Sequence, residues 1–292
     1  MSNVKIVTDS AADITEEALK EYDVAAAPFS VTFDGETFLR ENVNIRNDEF
    51  YKTLRKGDVF PKTSQPVIQD FADIFRRYAS GGGQILCVTL SSGLSGSYQS
   101  AENAARQINE EFGKEIVFTV DSFSASSGEG ALVIQAVRMR DEGFSAPQIR
   151  EKLEAVKKTG FIYVTVDTLL YLQKGGRIGK ASALAGGLLQ IKPIIILKEG
   201  ALHPHGKVRG RKNSLLELAR LVTKDVGDKA DDYEFFLTQA DVIDEVHEFL
   251  KIAESDYGVK LTLPIFNVGV TIGSHIGHTA VGLGYVKKYT KV

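Results

Sequence analysis

The chain has 292 residues, of which 43% are apolar and 25% are charged, as in an ordinary globular protein. Its net charge of −3 and the lack of a long basic run exclude nucleic acid as an expected partner. A single cysteine, Cys87, excludes an internal disulfide and a cysteine-rich zinc site. The chain opens on a strand-like segment, Val4–Val7, and no apolar run approaches the ~20 residues of a membrane span. We therefore expect a cytoplasmic protein without a bound metal or stable membrane insertion.

Strand and helix patterns alternate through the first half of the chain. Apolar runs typical of buried strands occur at Lys5–Thr8, Gln84–Leu90 and Glu115–Val120. Helical spacing separates these runs, and two further helical stretches reach Lys158. This βαβα order predicts a mostly parallel, doubly wound sheet with helices on both faces.

The pattern changes character after Gly160. Pro193–Leu197 and Ala201–Val208 flank Lys198-Glu199-Gly200, which predicts a β-hairpin. The other predicted elements are the strands 161–166, 233–238, 262–267 and 280–286 and the helices 167–173, 214–226 and 242–255. Hairpin-linked strands beside helices favour a mixed α+β domain. The predicted fold class is therefore α/β with two domains, an N-terminal α/β domain over 1–160 and a C-terminal α+β domain over 161–292.

A serine-rich turn, Ser91 to Ser97, lies between a predicted strand and a predicted helix. Gly93-Leu94-Ser95-Gly96-Ser97 nearly matches the G-x-S-x-G nucleophile elbow, and His275 lies downstream, so a serine hydrolase fits. Small residues that open a helix also leave backbone amides free, so the turn equally suits a carboxylate or the phosphate of a sugar- or phosphate-binding module. An ordinary helix-capping loop explains the same residues without a ligand.

Further polar segments occur along the chain. Thr8-Asp9-Ser10 and Asp121-Ser122 follow strands, at the carboxyl edge where α/β sheets bind ligands. Lys62-Thr63-Ser64-Gln65-Pro66 is a hydroxyl-rich loop between two predicted helices. Gly273-Ser274-His275-Ile276-Gly277 places a histidine among glycines, where the backbone can approach a ligand closely. Each segment by itself is also compatible with a purely structural role.

Taken together and in this order, these motifs resemble the DegV family of bacterial proteins. The resemblance covers nearly the whole chain and includes Gly175-Gly176-Arg177-Ile178 and Lys192-Pro193. Where the family often has Pro-Gly after the glycine of the histidine motif, this chain has His278-Thr279. The resemblance implies a lipid-binding carrier protein, not an enzyme by itself, that takes a long-chain fatty acid to a partner fatty-acid kinase. It implies no cofactor beyond the bound fatty acid.

The resemblance also implies roles for individual residues. Thr63 and Ser95 hydrogen-bond the carboxylate of the acid, with His275 close to the headgroup. The residues that support the headgroup loop are Ser64, Ser92, Gly93, Gly96 and Ser97. Arg177 lies in a glycine loop and Arg209 in the charged run 207–212, so we expect them to form a basic patch near the headgroup opening. The resemblance implies that this patch faces the partner and its phosphate, whereas a solvated charge run explains the same residues without a partner. We expect the headgroup in a cleft between the domains, with the tail in the second domain.

Apolar runs of the second half are candidates for the wall around the tail. They are Leu169–Leu172, Ala183–Ala185, Leu188-Leu189 and Ile194–Ile196. Plain core packing explains any one of these residues as well. The alternative function is a serine hydrolase that uses Ser95 and His275.

Overall fold

The computed structural model describes residues 3–57, 59–184 and 190–292. The described strands are β1 (Val4–Asp9), β2 (Val24–Ala27), β3 (Ser30–Thr32), β4 (Leu39–Arg40), β5 (Lys62–Ser64), β6 (Gln84–Thr89), β7 (Val117–Asp121), β8 (Phe161–Thr165), β9 (Ile191–Lys198), β10 (Ala201–Arg209), β11 (Tyr233–Gln239), β12 (Ile265–Asn267) and β13 (Val281–Lys287). The described helices are α1 (Glu16–Glu21), α2 (Asn47–Leu54), α3 (Ile68–Ala79), α4 (Ser97–Phe112), α5 (Ser127–Asp141), α6 (Ala146–Val156), α7 (Leu170–Lys174), α8 (Arg211–Val226), α9 (Ile243–Tyr257) and α10 (Val270–Ile276).

The first sheet is parallel throughout, with the strand order β2-β1-β6-β7. Successive side chains of a strand point to opposite faces, so Val7 and Cys87 pack against α3 and α4. Ile6 and Leu86 pack on the other face, against α5 and α6. The prediction of a parallel sheet covered on both faces is confirmed.

The second sheet is mixed, with the strand order β10-β9-β8-β13-β11-β12. Its pairs are antiparallel except β11 with β12. β9 and β10 form the predicted hairpin, and Glu199 and Gly200 at its tip have φ of 51° and 80°. Such a two-residue turn with positive φ matches the right-handed twist of the paired strands. The mixed α+β character predicted for this half is confirmed.

The two halves pack closely together. One buried cluster joins Leu86 and Ala131 of the first half to Ile162, Phe236 and Val286 of the second. The first sheet ends at β7 and the second begins at β8, with α5 and α6 between them in the chain. The division into domains at residue 160 stays a prediction.

Two segments for which the sequence predicted no strand or helix are regular elements. Lys62–Ser64 is not a loop but the short strand β5, which pairs antiparallel with β3. The histidine motif belongs to α10, where a side chain at Gly273 would press against Phe50 and Tyr51. A strand of three residues and a helix of seven are too short to show a clear periodicity in sequence. Both elements contribute to the site described next.

Candidate functional site

A pocket of about 810 Å³ lies between the two halves, within the ~300–1,000 Å³ range of small-molecule sites. Its apolar wall from the first half includes Phe29, Pro66, Ile68, Leu90, Leu94 and Ala125. From the second half it includes Ile162, Val164, Leu172, Ile195, Leu197 and Leu202. Polar side chains gather where β5, the turn before α4 and the end of α10 meet. The pocket is therefore suited to an elongated apolar molecule with one polar end.

Strand alternation decides which apolar residues reach this pocket. Ile195 and Leu197 of β9 line it, whereas Ile194 and Ile196 point to the other face and pack among α8 and α9. Of the described residues that the sequence suggested for the tail, only Leu172 and Ile195 line the pocket. The candidates Ala185, Leu188 and Leu189 lie outside the described residues.

Sequence reasoning missed most of the wall that the first half supplies. Leu90, Ala125 and Phe29 lie in strands or connections that looked like ordinary core segments. Every second residue of β8 and β9 could have been selected by period-two spacing once the strands were placed. The contribution of the first half had no such signal, because it depends on how the two halves pack.

Thr63 and His275 form the centre of the polar end. Thr63 Oγ1 lies 2.8 Å from His275 Nε2. Burial, together with the smaller effect of the positive charge of Arg177, lowers the pKa of His275 to about 4, so the imidazole is neutral at pH 7. Its Nδ1 is buried without a hydrogen-bond partner among the described residues, against Gly175, where any side chain would collide with it.

The surroundings of the imidazole select its tautomer. A buried N–H without an acceptor is rarer than a buried acceptor without a donor, so we assign the hydrogen to Nε2 of His275. Nε2–H then donates to Thr63 Oγ1. The hydroxyl hydrogen of Thr63 is consequently available to a ligand in the pocket.

Ser95 supplies a second hydroxyl to the pocket. Its Oγ accepts a hydrogen bond from Ser97 N–H at 3.2 Å, so its own hydrogen can be donated to a ligand. Ser97 Oγ in turn donates to Asp9 Oδ2 at 2.6 Å, and Leu90 N–H donates to the same oxygen at 3.0 Å. Burial raises the pKa of Asp9 to about 6, against the lowering effect of these hydrogen bonds. Asp9 of the Thr8-Asp9-Ser10 motif therefore holds the serine turn in place through Ser97 and Leu90, which lie at its two ends.

The amides of the serine turn are mostly engaged within the protein. Those of Ser92, Gly93, Leu94, Ser95 and Ser97 donate to oxygens of Asp121, Ser91 or Ser95. Among residues 92–97, the amide of Gly96 is the one that has no hydrogen-bond acceptor in the described part of the chain. The turn therefore offers fewer free amides to a carboxylate or phosphate than the sequence suggested, because a turn this tight uses most of its amides to hold its own shape.

Close approaches at two glycines bring the site residues together. A side chain at Gly96 would collide with Gln65, whose Nε2 also donates to Ser100 Oγ at 3.2 Å. Since Gln65 follows Thr63 by two residues and Gly96 follows Ser95, this contact places β5 beside the serine turn. Gly93 similarly approaches the Gly200 carbonyl. Of the remaining supporting residues, Ser64 lines the pocket and the exposed Ser92 does not.

The two arginines occupy different positions. Arg177 is exposed and lines the pocket, and its guanidinium donates to the carbonyls of Leu94 (3.2 Å) and Gly175 (2.8 Å). Arg209 is an exposed residue at the end of β10 and does not line the pocket. The structure therefore brings Arg177, but not Arg209, to the polar end.

The geometry disfavours the serine hydrolase. A serine nucleophile needs a histidine within hydrogen-bond reach and a third group that orients that histidine. Here Nε2 of His275 faces Thr63 and not Ser95, and its Nδ1 has no carboxylate partner in the described part of the chain.

Within residues 3–57, 59–184 and 190–292, no group of three His, Cys, Asp or Glu side chains could hold a metal ion. Over the same residues, no helix has the length and apolar character to cross a bilayer.

The fold and the site together define an α/β protein with an apolar pocket between its parallel and mixed sheets, lined at its polar end by hydroxyls and a neutral histidine. A sequence model of the DegV family, described as uncharacterised proteins, matches residues 3–288. This chain belongs to the DegV family.

Individual relatives agree with this assignment. A DegV domain-containing protein of Staphylococcus aureus is 31% identical over 284 residues, which cover 97% of each chain. A crystal structure of a stearic acid-binding protein from Eubacterium ventriosum has a TM-score of 0.94 and 35% identity, with 100% of both chains covered. A DegV family protein from Thermus thermophilus, described for its fatty-acid binding, has a TM-score of 0.88 and 30% identity and covers 97% of this chain and 99% of its own.

Proposed function

We propose that this protein binds a long-chain fatty acid, with the carboxylate at Thr63 and Ser95 and the tail along the apolar wall. The pocket of about 810 Å³, apolar over most of its wall and polar where Thr63 and His275 meet, is the observation that carries the proposal. A sugar would need polar partners along its whole length, and a phosphate alone would leave the apolar wall in water. The similarity to structures described as fatty-acid-binding supports the same ligand class.

Burial of the tail supplies the binding energy. A sixteen-carbon acid has about fourteen methylene groups, each worth ~0.8 kcal/mol when buried, or roughly 11 kcal/mol in total. Association costs about 4–15 kcal/mol, so tight binding requires that nearly the whole tail leaves water. The walls from β8, β9 and the first half surround such a tail on several sides.

The headgroup needs hydrogen-bond donors, because a buried carboxylate without them is very costly. The hydroxyls of Thr63 and Ser95 and the amide of Gly96 can supply them. His275 is neutral and donates a hydrogen bond to the Thr63 hydroxyl, so it orients this donor without adding a fixed positive charge. A site of neutral donors holds the acid and can still release it.

We also propose that the acid is presented to a partner fatty-acid kinase that phosphorylates its carboxylate. Arg177 and Arg209 would face this partner, since both are exposed and arginine pairs well with phosphate. In this proposal residues 1–160 carry the headgroup loops, and residues 161–292 supply much of the wall around the tail.

The ligand class is tested by mass spectrometry of an organic extract of the purified protein. We expect a long-chain fatty acid at close to one per chain, and saturable rebinding of a fluorescent fatty acid by the delipidated protein. A sugar phosphate in the extract, or folded delipidated protein that binds no fatty acid, would refute the proposal. Turnover of a generic activated ester that depends on Ser95 would instead support the hydrolase.

A further inference from the structure

The first turn of α10 is held by a buried carboxylate from the other half of the chain. Glu41, just after β4, accepts a hydrogen bond from Thr271 N–H at 3.1 Å through Oε1. Its Oε2 accepts from Thr271 Oγ1 and from Ser10 Oγ, both at 2.6 Å. One carboxylate thus joins α10 to the turn after β1.

Two further groups of the first half hold the same end of α10. Asp13 Oδ1 accepts from Gly269 N–H at 2.8 Å. The hydroxyl of Tyr51 donates to the carbonyl of Val268 at 2.9 Å. The backbone that enters α10 is therefore fixed residue by residue to the first half.

These carboxyl groups are costly where they lie. Asp13 and Glu41 are 7% and 1% exposed, and neither forms an ion pair with a lysine or arginine among the described residues. Burial raises the pKa of both groups, and their mutual repulsion adds to the effect on Asp13. If these positions only had to fill space, apolar side chains would serve as well, and they often stabilise a core more than buried charges do. What these carboxyl groups provide is directed hydrogen bonds to one short helix.

The geometry of α10 carries this effect to the polar end of the pocket. α10 has seven residues, so its first turn determines the rotation of the whole helix. Thr271 and His275 are four residues apart and share one helix face, and both line the pocket. A helix held at Thr271 therefore directs His275 at Thr63 one turn further on.

We infer that Glu41, assisted by Asp13, is a positioning residue for the headgroup site: it orients α10 so that His275 donates to Thr63 and leaves the Thr63 hydroxyl to the ligand. The consequence for binding rests on the proposed fatty-acid function. The orientation of His275 can be measured without any ligand.

Glu41→Gln tests the inference in the delipidated full-length protein. An amide keeps one acceptor oxygen but turns an N–H₂ group toward the hydroxyls of Thr271 and Ser10, both of which donate to the carboxylate in the wild-type protein. We expect His275 side-chain nitrogen signals in NMR to lose the single Nε2–H tautomer, with its pKa rising from about 4 toward its ordinary value of 6.5. The Kd of a fluorescent fatty acid should rise by about fivefold or more.

Glu234→Gln is the matched control. Glu234 is a glutamate 4% exposed that accepts from Arg138 Nη1 at 2.6 Å, and it does not line the pocket. This variant should lose stability yet keep both the His275 signals and the Kd. Unchanged His275 signals and Kd in folded Glu41→Gln, or the same changes in Glu234→Gln, would overturn the inference.

A second pair of variants covers the case in which Glu41→Gln does not fold. Thr271→Val removes the hydroxyl that donates a hydrogen bond to Glu41, and Thr271→Ser keeps that hydroxyl. We expect the altered His275 signals with valine and near-normal signals with serine; equal spectra in the two variants would refute the positioning role. If the wild-type protein binds no fatty acid while the His275 signals respond as described, the proposed ligand is wrong and the positioning role stands.

Discussion

Thr63 Oγ1 and His275 Nε2 lie 2.8 Å apart although 212 residues separate them in the chain. Thr63 belongs to a three-stranded sheet of the first half, and His275 belongs to α10 of the second. The polar end of the pocket therefore exists only when the two halves are packed in their native arrangement.

Removal of both headgroup hydroxyls should weaken fatty-acid binding. Hydrogen bonds to a charged group contribute ~1.5–3 kcal/mol each, so Thr63→Ala with Ser95→Ala should cost a few kcal/mol of binding free energy. Displacement of a fluorescent fatty acid measures the change. Ser92→Ala is the control, because Ser92 lies in the same turn but is exposed and does not line the pocket. Binding that is unaltered in the folded double variant would rule out this headgroup site.

Neighbouring isoleucines of β9 should respond differently to added bulk. Ile195→Phe should reduce affinity for long acids much more than for short ones, because Ile195 points into the pocket. Ile194→Phe should instead destabilise the fold by ~1–3 kcal/mol through overpacking, because Ile194 lies in the core beneath α8 and α9. Binding of a chain-length series and denaturant unfolding separate the two effects. The same loss of long-chain binding in both variants would contradict the assigned wall.

The stability of the unliganded protein should depend on pH through His275. Its pKa is about 4 in the folded protein against 6.5 ordinarily, so only the unfolded chain gains a proton readily in this range. The free energy of unfolding should therefore fall as pH decreases from 6.5 to 4, by up to about 1.4 kcal/mol per pH unit. Comparison of wild type with His275→Asn by urea unfolding isolates this contribution.

Asp9 acts in the opposite direction in the same experiment. Its pKa is raised to about 6, so its contribution to stability falls as pH rises from 3.8 to 6. Both proteins contain Asp9, and its effect cancels in their difference. Parallel pH profiles for wild type and His275→Asn would show that His275 is not desolvated as described.

Charge reversal at Arg209 should affect the partner and not the ligand. Arg209 is exposed and outside the pocket, so Arg209→Glu should leave the Kd of the fatty acid unchanged. It should slow phosphorylation of the bound acid by a fatty-acid kinase, most strongly at low salt, where surface charges are least screened. Lys114→Glu, on an exposed residue after α4, is the control. Weakened fatty-acid binding in folded Arg209→Glu would place Arg209 in the ligand site.

Arg177 requires a separate comparison, since its guanidinium also holds the Leu94 and Gly175 carbonyls. Arg177→Lys keeps the charge but loses this geometry, whereas Arg177→Gln loses the charge. If Arg177 faces the partner, phosphorylation of the bound acid should be retained in Arg177→Lys and reduced in Arg177→Gln. If phosphorylation and binding decline together in both variants, the contribution of Arg177 is to hold the two turns.

The architecture could be predicted from the sequence because it depends on local patterns. Apolar runs at β1, β6 and β7 with helices between them indicate a parallel sheet, and Glu199-Gly200 between two apolar strands indicates a hairpin. The short elements β5 and α10 escaped prediction because three and seven residues carry too little periodicity. The order of motifs was enough to indicate the family.

By itself the sequence determined the strand and helix order, the serine turn, and Thr63, Ser95 and His275 as the candidate headgroup residues. The element order and the turn depend on residue types and spacings within short segments of chain, whereas the headgroup roles of the three residues are what the resemblance to the DegV family implies. Only the tertiary structure decided that His275 bonds Thr63 and not Ser95, that the Gly96 amide of the turn has no acceptor among the described residues, and which face of β9 meets the pocket. It also placed Glu41 at the start of α10. These relationships join residues distant in sequence, and they follow from how the two halves bury their apolar faces against each other, which no local pattern specifies.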